Sequence, residues 1–299
     1  MQDWLIDILR NSRNGERLTV APDGLSLVCD GGSFDVCDGV PLLLDTSTPP
    51  HTASAAGNAF DYTSHYAEDA KQFDYFSEKR DRLTTVHLRE LRRSVLRMVP
   101  RSTGLPLDVG CGCAFVAEHL CRRGTRVVSM DIAPANARKA LAQHPSDNHA
   151  AVAADAYHLP FADNTFDCII ASEIIEHTVD PQGFVASLLS KLKPGGTLIV
   201  STPYKERIAY SLCIHCNCKT PHNAHLHSFD KDKLRHIVEP LPANITRMRL
   251  VGNKLLLRTH LLVPLALLGH HVWRLADNTL NTLIPKAEHL IIVIQKQKK

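Results

Sequence analysis

The sequence predicts an α/β fold with a mostly parallel sheet and helices on both faces. Between residues 105 and 200, short apolar runs alternate with amphipathic stretches, which is the pattern of βαβ units. The first apolar run ends in Asp108 and leads through Gly110 and Gly112 into a helical pattern. The second ends in another acid, Asp131. Because parallel strands end at one edge of a sheet, these features predict a ligand site at that edge.

The composition of the 299-residue chain is that of a globular protein, with 44% hydrophobic and 22% charged residues. A formal net charge of +3, without a run of Lys or Arg, argues against nucleic acid as a partner. No apolar run reaches the length of about 18 residues that a membrane span needs. The N-terminal residues lack the features of a signal peptide. We expect a cytoplasmic protein whose nine cysteines are thiols or metal ligands.

Changes in composition divide the chain into three parts. Residues 1–45 read as short strands separated by glycine turns, which predicts a small N-terminal β-rich module. Residues 46–104 contain a linker and helices, and residues 105–299 form the main domain. We expect two insertions in that domain, at residues 203–230 and 254–285.

The part before the main domain predicts a linker, an aromatic cluster and a helix. Residues 46–60 are rich in Ser, Thr, Pro and Ala, which is typical of a linker. The aromatic cluster either packs on the next helix or covers a ligand as a lid, and it comprises Phe60, Tyr62, Tyr66, Phe73, Tyr75 and Phe76. The helix that follows has apolar residues at helical spacing and stops before Pro100; they are Leu88, Leu91, Val95 and Met98.

The strands of the main domain are placed by their apolar runs. We predict parallel strands near residues 105–109, 126–131, 150–154, 166–172 and 196–201. A helix near 230–239, a strand near 245–251 and a last strand near 287–294 follow.

The glycine turn discriminates between nucleotide ligands. A dinucleotide site needs a third glycine where this chain has Phe115, and a P-loop needs a Lys that is absent after Gly112. The remaining pattern, Asp-x-Gly-x-Gly-x-Ala from Asp108, closely resembles motif I of the class I S-adenosylmethionine (SAM) methyltransferases. Ala114 stands where that family usually has Gly.

The segments after the glycine turn extend this resemblance as far as Pro203, in the family's order and spacing. They include Asp-Ala…Leu-Pro-Phe from Asp155, Glu-x-x-Glu-His from Glu173 and Leu-Lys-Pro-Gly-Gly from Leu192. The resemblance implies SAM as cofactor and a Rossmann-like, mostly parallel seven-stranded sheet. It also implies a set of cofactor contacts, which comprises Asp108, Gly110, Gly112, Asp131, Ile132, Asp155, Ala156 and Ser172.

The N-terminal module resembles the zinc-ribbon-like segments that precede some methyltransferase domains. Those segments carry paired Cys-x-x-Cys ligands, whereas this chain keeps only Cys29 and Cys37. We therefore expect no metal in this module.

The insertion at 203–230 holds a candidate zinc site. Two thiolates and two imidazoles suit tetrahedral zinc, and the candidate ligands are Cys213, Cys216, His222 and His225. Some methyltransferases of this type carry a similar insertion at this place. Free thiols on a loop are the alternative.

A competing metal site involves Glu173, Glu176 and His177. These residues resemble the Glu-x-x-Glu-His of small-RNA 2′-O-methyltransferases and ubiquinone-pathway O-methyltransferases, in which they help to hold a divalent ion. His225 is the candidate for a later ligand, and oxygen-rich ligation favours a Mg²⁺-like ion. Both metal sites need His225, so these residues cannot complete both.

The resemblance implies methyl transfer to a small-molecule acceptor. We expect a hydroxyl oxygen of a glycan, a lipid-linked intermediate or a secondary metabolite to accept the methyl group. His177 is the candidate general base, with a structural hydrogen bond as the alternative role. Two other functions stay open, which are C-methylation of a quinone-like ring and a catalytically silent SAM-fold protein that binds another protein.

The second insertion is apolar and interrupted by Pro264. Its first part, residues 254–273, is a candidate for contact with a membrane surface, for covering an apolar acceptor or for a homodimer interface. Core helices that pack on the sheet are the alternative.

Overall fold

A computed structural model of the chain describes residues 1–44, 61–76, 81–214 and 217–298. The predicted linker with Phe60, and the zinc candidate Cys216, lie outside the described residues.

The described residues form helices and strands in the alternating order that the sequence predicts. The α-helices are α1 (Asp3–Ile8), α2 (Tyr62–Gln72), α3 (Arg82–Leu96), α4 (Phe115–Leu120), α5 (Pro134–Gln143), α6 (Pro181–Lys191), α7 (Lys231–Val238), α8 (Lys254–Arg258), α9 (Leu262–Leu267) and α10 (His270–Leu283). The strands are β1 (Thr19–Val20), β2 (Ser26–Cys29), β3 (Gly32–Cys37), β4 (Val40–Leu43), β5 (Pro106–Val109), β6 (Val127–Asp131), β7 (His149–Ala154), β8 (Phe166–Ser172), β9 (Leu192–Pro203), β10 (Tyr210–Leu212), β11 (Lys219–Pro221), β12 (Ala243–Asn253) and β13 (Ala287–Lys296).

The central sheet has the strand order β1-β2-β3-β4-β7-β6-β5-β8-β9-β13-β12. Strands β4 to β9 are parallel within it, and β13 runs antiparallel to both β9 and β12. The seven strands from β7 to β12 in this order correspond to the seven predicted strands. The predicted fold class, a Rossmann-like and mostly parallel sheet with helices, is confirmed.

The N-terminal strands extend this sheet. Strand β4 pairs in parallel with β7, where Leu42 lies opposite Ala153, and β1 to β3 continue the sheet as antiparallel strands. The described part of the predicted N-terminal module is therefore hydrogen-bonded to the main sheet. The division of the chain at residue 45 stays a prediction.

Apolar side chains cover both faces of the parallel strands, which is why these strands read as uninterrupted apolar runs. Every residue of β6 is buried. On one face, Leu107 and Phe184 belong to a core that includes α6. On the other face, Leu91 of α3 and Val116 of α4 belong to a second core.

The second insertion folds into α8, α9 and α10. Leu256, Leu262, Ala266 and Trp273 are buried in the second core, so part of the insertion packs as core helices. The buried Glu90 of α3 also holds this insertion, because its carboxylate pairs with the ring of His270 at 2.5 Å. None of the described helices is long and apolar enough to cross a membrane.

Candidate cofactor and acceptor site

A cavity of about 840 Å³ opens at the carboxyl ends of β5, β6, β7 and β8. The backbone and side chains that follow these strands form its floor, and α2 and α3 supply further walls. The cavity is lined by Gly110, Gly112, Asp131, Ile132, Asp155, Ala156, Ser172 and His177. The structure therefore brings together, around one cavity, these sequence-predicted residues from four strands.

The glycine turn between β5 and α4 lets backbone approach the cavity closely. Gly110 and Gly112 have φ values of +64° and +47°, which L-residues rarely adopt. A Cβ atom on Gly110 would lie 2.2 Å from the side chain of Ile174. Ala114 also has a left-handed φ, of +53°, so it takes a strained conformation where the resembling family usually has Gly.

Asp131 stands at the end of β6 with its carboxylate held by backbone. The N–H of Ala133 donates to Oδ1 at 2.9 Å, and the N–H of Gly112 lies 3.4 Å from Oδ2. Burial raises the pKa of Asp131 to about 6, despite these hydrogen bonds. A buried carboxylate in this position can accept hydrogen bonds from ribose hydroxyls. These bonds would take the place of the hydrogen bonds that water donates to an exposed carboxylate.

Asp108 lies deeper, at the end of β5. Its Oδ2 atom is buried and has no hydrogen-bond partner within the described part of the chain. Burial raises the pKa of Asp108 well above its usual value, and the charge of Asp131 adds to this effect. The charge of Arg92, from α3, acts in the opposite direction. Arg92 lines the cavity and was not predicted, because no local motif marks it.

Asp155 and Ala156 follow β7 and lie beneath the aromatic cluster. The hydroxyl of Tyr62, on α2, donates to Oδ2 of Asp155 at 2.5 Å, and the N–H of Tyr157 donates to Oδ1 at 2.9 Å. Ala156 lines the cavity. The aromatic cluster therefore contacts Asp155, a predicted cofactor contact, through Tyr62, as a lid would.

His177 lies at the other end of the cavity, just after β8. Its Nδ1 lies 3.3 Å from the carbonyl oxygen of Ala224. Its ring contacts the rings of His225 and Tyr66 edge-on, with centroids 4.8 Å and 5.8 Å away. Burial lowers the pKa of His177 to about 4, and the nearby His225 adds to this effect.

Glu176 completes a cluster with the two histidines. The ligand atoms of Glu176, His177 and His225 all lie within 4.8 Å of one another. Thr202 donates to Oε2 of Glu176 at 3.0 Å. Burial, followed by the charge of Glu173, raises the pKa of Glu176 well above its usual value.

Glu173 belongs to a different network that the sequence did not reveal. Its Oε2 accepts from Nδ1 of His289 at 2.9 Å, and its Oε1 accepts from Ser201 at 2.7 Å. Nε2 of His289 lies 2.9 Å from Nε2 of His87. Although burial alone would raise the pKa of Glu173, the charge of His289 lowers it. Burial alone would lower the pKa of His289, but the Glu173 carboxylate raises it.

Ser172 connects to this network. The Ser172 hydroxyl lies 2.8 Å from the hydroxyl of Ser201, and Ser172 also lines the cavity. Glu173 adopts a left-handed φ of +59°, which turns the chain sharply after β8.

The first insertion forms a hairpin of β10 and β11 and then returns to the cavity. The ring of His222 bonds to Ser211 on the hairpin, whereas His225 lies in the cavity with its Nδ1 2.6 Å from Glu206. Cys213 is described next to the hairpin and Cys216 is not. The two imidazoles that were predicted as ligands of one zinc ion therefore have different partners.

The donor set at the cofactor end fits SAM. The glycine turn brings backbone without side chains to the cavity, Asp131 supplies acceptors for a ribose, and Asp155 supplies an acceptor beside a small residue, Ala156. These residues lie at the ends of β5, β6 and β7, which are neighbours in the sheet.

Comparison with known proteins agrees with this geometry. Residues 107–200 match a family described as "Methyltransferase domain". The chain is 31% identical over 138 residues to a human protein named "Ubiquinone biosynthesis O-methyltransferase, mitochondrial", with 42% of this chain and 37% of that protein aligned. It is 31% identical over 144 residues to the Methylobacterium nodulans "Ubiquinone biosynthesis O-methyltransferase", with 44% and 57% aligned. The chain thus covers 37% of the length of the human relative and 57% of the length of the bacterial one.

A solved structure shares the fold. It is the Burkholderia thailandensis 1,6-didemethyltoxoflavin-N1-methyltransferase with bound S-adenosylhomocysteine, with a TM-score of 0.53, 16% identity, and 84% of this chain and 100% of that chain covered. The matched residues 107–200 carry the glycine turn and the strand-end acids, so this part of the chain is similar in sequence to methyltransferase domains. The solved structure shows that the fold is shared as well.

Proposed function

We propose that this protein transfers the methyl group of SAM to a ring hydroxyl of a small molecule. The observation that carries this proposal is the position of His177, His225 and Tyr66 in the same cavity as the glycine turn and Asp131. Curated relatives that are named for O-methylation in ubiquinone biosynthesis agree with a ring hydroxyl as the acceptor.

The residues at the cofactor end hold and orient SAM. Backbone N–H groups of the glycine turn, the Asp131 carboxylate and the Asp155 carboxylate would contact its methionine, ribose and adenine parts. When bound, the cofactor supplies a methyl group on a positively charged sulfur, which is already electrophilic. The protein then has to bring the acceptor oxygen to about 3–3.5 Å from that carbon and keep water out. The aromatic residues of α2 supply the cover.

His177 is suited to take the proton of the acceptor. Since its Nδ1–H can donate to the carbonyl of Ala224, its Nε2 keeps a lone pair for the cavity. Its lowered pKa, about 4, keeps the ring neutral at pH 7 and makes it a weak base. A weak base favours an acidic hydroxyl such as a phenol, with a pKa of about 10, over an aliphatic hydroxyl, whose pKa is much higher.

The cluster of Glu176, His177 and His225 supports a second candidate, a metal-assisted form of the same reaction. In metal sites the ligating histidine usually donates its other N–H to a carboxylate or a carbonyl. Both histidines have such a partner, Ala224 for His177 and Glu206 for His225. A divalent ion held by these three residues would polarise the acceptor oxygen and assist its deprotonation. With His225 in the cavity, zinc in the hairpin would depend on Cys213, Cys216 and His222.

The first test is isothermal titration with S-adenosylhomocysteine, followed by methyl transfer from isotope-labelled SAM to a panel of phenols, catechols and sugars. We expect micromolar binding, which Asp131→Ala weakens by about ten- to a hundredfold because charged hydrogen bonds to the ribose are lost. The label should appear on the oxygen of a phenol or catechol. Absence of binding at millimolar ligand contradicts the enzyme function, and a label on ring carbon supports C-methylation instead.

A chelator arm distinguishes the two forms of the reaction. Dialysis against EDTA should leave the binding of S-adenosylhomocysteine unchanged in both cases. Loss of turnover that Mg²⁺ or Zn²⁺ restores supports the metal at Glu176, His177 and His225. Full turnover without metal assigns the proton transfer to His177 alone.

A further inference from the structure

The helices of the second insertion present an apolar surface to the outside. Its residues, which we call the leucine surface, are Leu267, Leu268, Val272, Leu275 and Leu283. Leu268, Leu275 and Leu283 are 70%, 70% and 72% exposed, which is unusual for leucines so close together.

Helix α10 buries two polar residues beside one large apolar residue. Its buried residues Trp273, Asp277 and Asn281 follow one another at spacings of four residues and share one face. Two of its three leucines, Leu275 and Leu283, are exposed on the outer side of the helix. A helix of a globular protein normally turns its apolar residues inward. The outward leucines of α10 therefore require a reason.

Hydrogen bonds fix α10 in this orientation. The carboxylate of Asp277 accepts from the backbone N–H groups of Gly252 and Asn253, at 3.2 Å and 2.7 Å. The side chain of Asn253 donates to Oδ1 of Asn281 at 2.9 Å. Rotation of the helix to bury its leucines would break these buried bonds. The leucine surface is thus held outward by the fold.

An arginine cluster adjoins α10. It consists of Arg97, the residue after α3, of Arg247 and Arg249 on β12, and of Arg274 on α10, whose charges interact with one another. Arg274 precedes Leu275 and so joins the cluster to the edge of the leucine surface. The Nε and Nη2 atoms of Arg249 are buried without an acceptor from any described residue. Burial lowers the pKa of Arg249. The charge of Asp277 raises this pKa, and the charges of the other three arginines lower it further.

Residues 254–286 carry four Lys or Arg side chains and a single carboxylate, Asp277, which is buried. The nearby Glu288 lies 3.6 Å from Lys254 and is matched by it. The surface therefore combines exposed leucines with cations that face no exposed acid of the insertion.

We propose that the leucine surface and the arginine cluster dock the protein on an anionic lipid membrane. The leucines enter the boundary between headgroups and acyl chains, and the arginines bind the phosphate groups of the lipids. A second copy of the chain fits this surface less well, because a symmetric contact would bring the same cations close to one another. The proposal is independent of the methyl acceptor.

The test is co-sedimentation of the full-length protein with vesicles of phosphatidylcholine alone and of phosphatidylcholine mixed with phosphatidylglycerol. We expect binding to the mixed vesicles only, weakened by salt. L275N/L283N should weaken it roughly tenfold or more. Arg247→Gln and Arg274→Gln should each weaken it about fivefold, the equivalent of about 1 kcal/mol per cation near a charged surface.

Matched substitutions on other surfaces control for exposure and charge. Leu25→Asn replaces a leucine that is 67% exposed near the N-terminal strands, and Arg122→Gln removes an exposed arginine after α4. Both should bind vesicles like the wild type. Circular dichroism and sedimentation velocity verify the fold and the oligomeric state of each variant. Absence of binding to mixed vesicles, or binding that L275N/L283N leaves unchanged, overturns the proposal. So does a dimer that this variant dissociates without any lipid binding.

Discussion

The two ends of the cavity are built in different ways. At the cofactor end, the glycine turn and Asp155 follow directly after buried parallel strands, and Asp131 is the last residue of another. At the acceptor end, the ring of Tyr66 comes from α2 and that of His225 comes from the first insertion. Of these three rings, that of His177 comes from the segment that follows a strand of the sheet, β8. The cofactor end is thus fixed by the sheet, and the acceptor end is fixed by side chains that pack from distant parts of the chain.

Under the proposed function, this difference separates cofactor binding from the choice of the methyl acceptor. A site made of backbone N–H groups and strand-end acids changes little when loops change. A site made of side chains on a lid and an insertion can change its acceptor without disturbing the sheet. Substitutions at the cofactor end should therefore change the affinity for S-adenosylhomocysteine. Substitutions at the acceptor end should change kcat or KM for the acceptor.

The largest effect is expected for His177→Ala. Removal of the proton acceptor should lower kcat by about 10²–10⁴. The affinity for S-adenosylhomocysteine should stay unchanged, because the ring contacts acceptor-side residues. The exposed His236 of α7 gives a control, since His236→Ala should leave both quantities unchanged. An equal loss of cofactor affinity would show that the two ends are not separable.

The next effect concerns stability behind the acceptor end. His289→Gln leaves the half-buried Glu173 carboxylate without its charged partner, and should cost about 1–2 kcal/mol of unfolding free energy. The Glu173–His289 ion pair contributes most to the free energy of unfolding at pH values at which both groups are charged. Glu173, with a folded pKa below 4.5, contributes above pH 4.5 and loses this as pH falls. His289, with a folded pKa above 6.5, contributes below pH 6.5 and loses this as pH rises.

Urea unfolding at a series of pH values measures this prediction. The difference between wild type and variant should be largest between pH 4.5 and 6.5 and should narrow on both sides. Burial and the charge of His289 lower the pKa of His87 to about 4, so His87 is neutral in that window, and Glu288 and Lys254 are the other charges near His289. A difference that does not vary with pH would contradict the ion pair.

Gly110→Ala tests the cofactor end. The new Cβ atom would overlap the side chain of Ile174, so the affinity for S-adenosylhomocysteine should fall by about thirtyfold. Gly124→Ala is the matched control, because its φ is also positive, at +78°, while nothing lies within 4 Å of its Cβ position. Calorimetric titration of both variants separates the overlap from backbone strain. Similar losses in both would assign the effect to strain alone.

The smallest effect is expected for the two tyrosines of the lid. Tyr62→Phe removes the hydrogen bond to Asp155 and should weaken cofactor binding by about three- to tenfold. Tyr66→Phe should instead raise KM for the acceptor, because the Tyr66 hydroxyl is buried, has no partner among the described residues and faces the His177 end. If both variants changed the cofactor affinity, or both changed KM for the acceptor, the two ends of the cavity would not be functionally distinct.

The cofactor end was predictable because its residues are close in sequence. Asp108, Gly110 and Gly112 lie within five residues, and Asp131 and Asp155 end or follow apolar runs. The network of Glu173, His289 and His87 was not predictable, because its members are separated by 116 and 202 residues. No local pattern records such a contact.

The sequence by itself determined the order of strands and helices, the position of the glycine turn and the acids at the cofactor end. These follow from hydrophobic periodicity and from backbone conformations that only certain residues adopt. Tertiary structure decided that His225 joins His177, that the N-terminal strands extend the sheet and that α10 turns Leu275 and Leu283 outward. Each of these depends on contacts between residues far apart in the chain, whose free energy no single segment contains.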